Sequence, residues 1–89
     1  MRSQMKKYSL AWLAHWSEKH KPEKDVVVTY HQQSDGWWEH EYHYYFTAEN
    51  DKQAITETMK FIRKSAEDID IYSVTDLEND KVIMTEEDY

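Results

Sequence analysis

The 89-residue chain contains no cysteine, a single glycine and a single proline. Without cysteine it can form neither a disulfide framework nor a thiolate zinc site, which fits a reducing compartment. No apolar run approaches the roughly 20 residues that span a bilayer. The N-terminal segment also lacks the apolar stretch and small-residue cleavage site of a secretory signal. We therefore expect a cytoplasmic protein that makes no membrane contact.

Aliphatic side chains are also scarce, since apolar residues make up only 39% of the chain. Four Trp, seven Tyr and two Phe must therefore provide much of the core, because each aromatic side chain can bury roughly 150–250 Å². This length suits one small domain. We expect a single domain over residues 1–89, with residues 1–5 and 85–89 frayed.

The only glycine, Gly36, lies at the centre of a predicted β-hairpin over Asp25–Phe46, DVVVTYHQQSDGWWEHEYHYYF. Ser34, Asp35 and Gly36 fit a three-residue loop whose third residue needs a positive φ, which glycine adopts without a steric penalty. A two-residue Asp-Gly turn would shift the register by one residue and mix the two faces, so we predict the longer loop. The predicted cross-strand pairs are Gln33 with Trp37, Tyr30 with His40, Val28 with Tyr42 and Val26 with Tyr44.

This register sorts the side chains of the hairpin onto two faces. The face that we expect to be covered carries Val26, Val28, Tyr30, Trp38, His40, Tyr42, Tyr44 and Phe46. The opposite face, which we expect to be open, carries Val27, Thr29, His31, Trp37, Glu39, Glu41, His43 and Tyr45. We expect a neighbouring strand to cover Tyr45 through Tyr8 or Trp12.

Residues 6–16, KKYSLAWLAHW, are compatible with two structures. As a strand, they place Tyr8, Leu10, Trp12, Ala14 and Trp16 on one face. As a helix, they align Tyr8, Trp12 and Trp16 in a stripe. Alanine and leucine favour the helix, whereas the strict alternation and the aromatics favour the strand. We prefer the strand and keep the helix as the alternative.

The segment after the hairpin predicts a helix over Asp51–Ala66. Asn50 is a good N-cap, and Gln53 follows three residues later as in a capping box. Residues at helical spacing should face the sheet: Ala54, Ile55, Thr58, Met59, Ile62 and Ala66.

The remaining sequence predicts a strand over residues 69–75, a turn over 76–81 and a short strand over 82–84. The element order is therefore β-β-β-α-β-β, or α-β-β-α-β-β if residues 6–16 are helical. Either order gives an α+β fold, in which one helix packs on one face of a small antiparallel sheet.

Residue patterns for catalysis or metal binding are lacking. The chain has no Gly-x-Ser-x-Gly elbow and no glycine-rich phosphate loop. His40 and His43 point to opposite faces of a strand, and His31 lies opposite Glu39, roughly 13 Å along the strand from His43. Glu39 and Glu41 share the open face, where cross-strand pairing explains them better than an acid–base pair. We predict a protein that is not an enzyme and holds no metal and no cofactor.

Charge is unevenly spread along the chain. Residues 1–24 carry six Lys or Arg against two Glu, whereas residues 67–89 carry one Lys against nine acidic residues. The net charge of −7 argues against direct binding of nucleic acid, which needs a basic surface. The acidic region instead predicts a basic protein partner. Its candidate contacts are Asp68, Asp70, Asp76, Glu78, Asp80, Glu86, Glu87 and Asp88.

In size and composition, the chain resembles phage-encoded inhibitors of host defence, including anti-CRISPR proteins and other DNA mimics. The resemblance implies a non-enzymatic inhibitor whose acidic surface blocks a basic, nucleic-acid-handling partner. One alternative is a structural or assembly domain that homodimerises through its open face or an edge strand. The other is a small-ligand or metal-binding domain that uses His31, His40 or His43. An alternative partner-binding surface lies on the open sheet face: Trp37, Glu39, Glu41 and His43.

Overall fold

A computed structural model describes residues 5–65 and 68–88. Its elements are β1 (Lys6–Trp16), β2 (Val26–Gln32), β3 (Trp38–Ala48), α1 (Asp51–Lys64), β4 (Tyr72–Asp76), β5 (Lys81–Thr85) and a short 3-10 turn (Glu86–Asp88). The strands form one antiparallel sheet in the order β2-β3-β1-β4-β5. The predicted α+β class and the order β-β-β-α-β-β are confirmed. Of the ends predicted to fray, residues 1–4 and 89 lie outside the described residues.

The hairpin has the predicted register. Gly36 has a φ of +89° and donates its N–H to the carbonyl of Gln33 at 3.0 Å, while the N–H of Gln33 reaches the carbonyl of Trp37 at 2.8 Å. The side chain of Asp35 accepts the N–H of Trp37 and closes the loop. The strand pairs beyond it are Tyr30 with His40, Val28 with Tyr42 and Val26 with Tyr44.

Residues 6–16 are the central strand of the sheet, so the helical alternative is wrong. β1 pairs along its whole length with β3, and Tyr8–Trp12 also pairs with β4. Its alternate residues Tyr8, Leu10 and Trp12 are buried. Over Tyr8–Trp12 the strand has a neighbour on each side, so its backbone groups form hydrogen bonds within the sheet. This pairing outweighs the helical preference of alanine and leucine.

The helix begins as predicted and ends earlier. Asn50 Oδ1 accepts the N–H of Gln53 at 2.9 Å, which is the expected N-cap bond. The helix ends at Lys64 because Ser65 has an extended backbone, with φ −67° and ψ 140°. Ala66, the predicted last residue, lies outside the described residues.

Packing of α1 on the sheet includes one residue that the sequence pattern missed. Ala54 and Thr58 are fully buried, as predicted. Phe61 stacks on Tyr44 with ring centres 4.2 Å apart and lies 5.6 Å from the ring of Trp12. The other expected contacts, Ile55, Met59 and Ile62, pack against the core but remain partly exposed.

The C-terminal strands are displaced from their predicted bounds. β4 begins at Tyr72 rather than residue 69, because Trp12 is the last residue of β1 to pair with it. β5 covers Lys81–Thr85 rather than 82–84. A register shift between Val74 and Thr75 marks a bulge in this pair, and such an irregularity cannot be seen in alternation alone.

The connection from β1 to β2 crosses the same face as the helix. The N–H of His20 donates to His40 Nε2 at 2.8 Å, and the hydroxyl of Tyr30 donates to the carbonyl of His20. His40 Nδ1 is thereby left to donate to the carbonyl of Trp38 at 3.1 Å, and the His40 side chain is fully buried. We call this side of the sheet, beneath α1 and residues 17–25, the covered face, and the other side the open face.

Candidate functional site

The predicted acidic residues form two groups along the edge of the sheet that β4 and β5 form. Glu78 and Asp80 lie in the turn between these strands, beside Asp76 at the end of β4. The other predicted residues flank the opposite ends of the two strands: Asp68, Asp70, Glu86, Glu87 and Asp88. β4 has five residues, so about 13 Å of strand separates the two groups. All are exposed except the half-buried Glu86 and the buried Asp76. We call the following residues the acidic edge: Asp68, Asp70, Glu78, Asp80, Glu86, Glu87 and Asp88.

Asp76 does not belong to this surface. It is only 3% exposed, and its Oδ2 lies 2.7 Å from Lys6 Nζ and 2.7 Å from Asn79 Nδ2. Its Oδ1 accepts the backbone N–H groups of Glu78 and Asn79. The hydrogen bond from Lys6, followed by that from Asn79, lowers the pKa of Asp76 to about 2. Asp76 anchors the β4–β5 turn, and we remove it from the candidate contacts.

Lys6 also connects this turn to the start of the helix. Its Nζ lies 3.6 Å from Asp51 Oδ1, which accepts the hydroxyl of Tyr8 at 2.8 Å. The hydrogen bond to Asp76 raises the pKa of Lys6. Burial, and then the bond to Asp51, raises the pKa of Tyr8. The charge of Lys6 is therefore paired within the fold, with the carboxylates of Asp76 and Asp51.

Three carboxylates of the acidic edge are held by backbone groups. Glu78 Oε2 accepts the N–H of Lys7 at 3.1 Å. Glu86 Oε1 accepts the N–H of Tyr72 at 3.2 Å, and Asp88 Oδ2 accepts that of Thr85 at 2.8 Å.

None of the acidic edge forms an ion pair with a cation in residues 5–65 and 68–88. The negative charge of the acidic edge is therefore not paired within the fold, and backbone hydrogen bonds fix the orientation of three of its carboxylates.

The open face carries a histidine–glutamate–histidine group. Glu41 Oε1 lies 3.2 Å from His31 Nε2, and Glu41 Oε2 lies 3.0 Å from His43 Nε2. These bonds, with that to His43 the stronger, lower the pKa of Glu41. Among the described residues, no group of three His, Asp or Glu side chains is arranged to hold a metal ion. The cluster is a polar bridge across the β2–β3 pair.

Exposed apolar side chains share the open face with this cluster. Tyr45 is 53% exposed and stacks on His43, so the expectation that β1 covers it is wrong. Trp37 is 47% exposed beside the hairpin loop. A shallow depression of about 340 Å³, lined in part by Leu13, Glu41 and Ile71, lies on the same face. Glu39 belongs to the alternative partner-binding surface, and its Oε2 lies 3.8 Å from His15 Nε2.

No protein-family model, curated protein or solved structure matches the chain. No helix in the described part of the chain is long and apolar enough to cross a bilayer. The candidate site is therefore defined by charge and geometry.

Sequence reasoning missed the role of Asp76 because Lys6 lies far from it in the chain. Only the pairing of β1 with β4, with Tyr8 opposite Asp76, brings them together.

Proposed function

We propose that this chain is a non-enzymatic, protein-binding inhibitor whose acidic edge docks on a basic surface of a protein that handles nucleic acid. The observation that carries the proposal is the placement of seven unneutralised carboxylates along one sheet edge. A surface of this kind competes with phosphates for lysine and arginine side chains. The cysteine-free sequence fits a cytoplasmic site of action.

The uneven charge adds a kinetic expectation. Long-range attraction between the acidic edge and a basic cleft raises the association rate more than it slows dissociation. Binding should therefore weaken clearly as salt rises from about 50 to 500 mM, since the screening length falls well below about 10 Å.

The test begins with capture of a partner by the immobilised full chain and its identification by mass spectrometry. Binding kinetics are then compared for Asp70→Lys/Glu87→Lys and for the control Glu18→Lys/Glu57→Lys. Both double variants change the net charge equally, but only the first lies on the acidic edge. We expect the association rate to fall at least about tenfold for the first variant only.

The partner's own nucleic acid provides the second measurement. An oligonucleotide that the partner binds should compete with this chain. Equal binding by both double variants, or a partner with no affinity for nucleic acid, would overturn the proposal and leave the carboxylates a solubilising role.

A further inference from the structure

The second edge of the sheet, β2, has an unpaired row of backbone groups. The N–H of Gln33 donates to Trp37 across the hairpin, and hydrogen-bonded pairs recur at every second residue of an antiparallel ladder. The backbone groups of Val28, Tyr30 and Gln32 therefore point away from β3. Within the described part of the chain, no backbone partner meets them.

The usual protections of an edge strand are missing from β2. Edge strands are commonly kept from pairing with other chains by lysine, proline, a bulge or short length. β2 has seven residues, VVVTYHQ, and a regular register with β3. β5, at the other edge, has five residues, begins with Lys81 and adjoins a bulge. The contrast indicates that β2 is an interface.

Charge identifies the occupant of this edge. β2 is the only described strand without a lysine, arginine, aspartate or glutamate. Together with the preceding connection, residues 17–32 carry three lysines and three acidic residues. In a chain of net charge −7, this neutral edge is where two copies approach with the least repulsion. A strongly basic partner would find no electrostatic attraction at this neutral edge.

We propose that two copies of the chain pair through β2 in antiparallel fashion, around a two-fold axis at Thr29. In this register, the outward groups of Val28 meet those of Tyr30 in the second copy, and Val26 lies opposite Gln32. On the open face, Thr29 faces its own counterpart and Val27 faces His31 of the second copy. No formal charges oppose each other, and cross-strand pairs of this type are favourable.

The pairing joins two sheets into one of ten strands. The two-fold axis is perpendicular to the sheet, so both helices lie on the same side and both open faces on the other. The acidic edge of each copy lies at the far end of its sheet and remains free. The dimer therefore stands independently of the inhibitor function proposed above.

Thr29→Lys is the decisive variant, because it places two like charges face to face at the axis. Thr29 is exposed and its side chain has no bond to break within the described residues. Thr56→Lys, on the exposed side of α1, is the matched control. Sedimentation of the parent should give about twice the 10.9 kDa of one chain. Thr29→Lys should sediment as a monomer with unchanged circular dichroism, and Thr56→Lys as a dimer.

Val28→Pro is a second variant that should disrupt the dimer, since it removes an outward N–H donor that the β2–β3 ladder does not use. Amide exchange in the parent should show slow exchange at Val28 and Tyr30 that is lost on dilution. A monomeric parent at concentrations up to about 1 mM, or dimers that survive both Thr29→Lys and Val28→Pro, would overturn the proposal.

Discussion

The two faces of the sheet are made from alternate residues of the same strands, yet their surroundings differ sharply. On the covered face, Leu10 and Tyr42 are fully buried in the core that packs against α1. On the open face, Leu13 is 44% exposed and Glu41 is half-buried between two histidines. Leu10 and Leu13 have the same side chain, so position in the register, rather than residue type, decides the burial.

The largest effect should come from shortening these two leucines in turn. Leu10→Ala removes three buried carbons and should lower the free energy of unfolding by about 2–5 kcal/mol. Leu13→Ala should cost no more than about 0.5 kcal/mol, because its side chain already meets water. Urea denaturation of both variants measures the difference. Equal losses would show that the open face is covered in solution.

A smaller effect should follow from breaking the loop that sets the register. A Cβ at Gly36 meets no atom within 4 Å, so Gly36→Val is opposed only by backbone strain at positive φ. We expect a loss of about 1–3 kcal/mol. Gly36→Asn is the control and should lose less, since asparagine tolerates this conformation. Thermal unfolding of the two variants measures their losses of stability. Equal losses would contradict the strain argument.

One change on the covered face should stabilise the protein. The hydroxyl of Thr58 is fully buried and has no hydrogen-bond partner within the described residues. Thr58→Val keeps the shape and removes the unsatisfied group, so we expect a gain of about 1 kcal/mol. Thr56→Val, whose exposed hydroxyl bonds to the carbonyl of Lys52, should show no gain. Denaturant midpoints compare the two, and a loss at Thr58 would reveal a partner for its hydroxyl.

The smallest effect belongs to the charged group of the open face. The pKa of Glu41 is lowered by His43 and then by His31, so its stabilisation is present above the ordinary carboxylate pKa and is lost as pH falls through the lowered value. The side chain is 39% exposed, which limits the effect to below about 1 kcal/mol. Carboxyl NMR titration should show a larger rise in the pKa of Glu41 for His43→Ala than for His31→Ala. The reverse order would contradict the geometry.

The fold was predictable where a local signal agreed with the period of the strand. Gly36 fixed the loop, and alternation then paired Val28 with Tyr42 and identified β1 as a strand. The start of the helix was also predictable, because the N-cap hydrogen bond joins Asn50 to Gln53, only three residues later. These features depend on residues close together in the chain.

Features that depend on distant partners were not predictable. Asp76 has the same sequence character as its acidic neighbours, and only its contact with Lys6 turns it into a turn anchor. His40 alternates like a strand residue, but nothing in its neighbourhood shows that His20 will fold over it. The contact of Phe61 with the sheet could have been predicted, since Phe61 lies three residues after Thr58 on the same side of the helix. The acidic edge itself remained visible because its residues cluster in the chain.

The central position of β1 has a consequence for how the protein acquires its fold. β1 is synthesised first, but its neighbours β3 and β4 come later, and Tyr8 pairs with both Phe46 and Asp76. The β2–β3 hairpin needs only its own loop, so we expect it to form on the microsecond scale of isolated hairpins. Insertion of β1 must then close long stretches of chain and should limit the folding rate. Until β4 leaves the ribosome, the central strand lacks one of its two neighbours, and a chaperone can bind it.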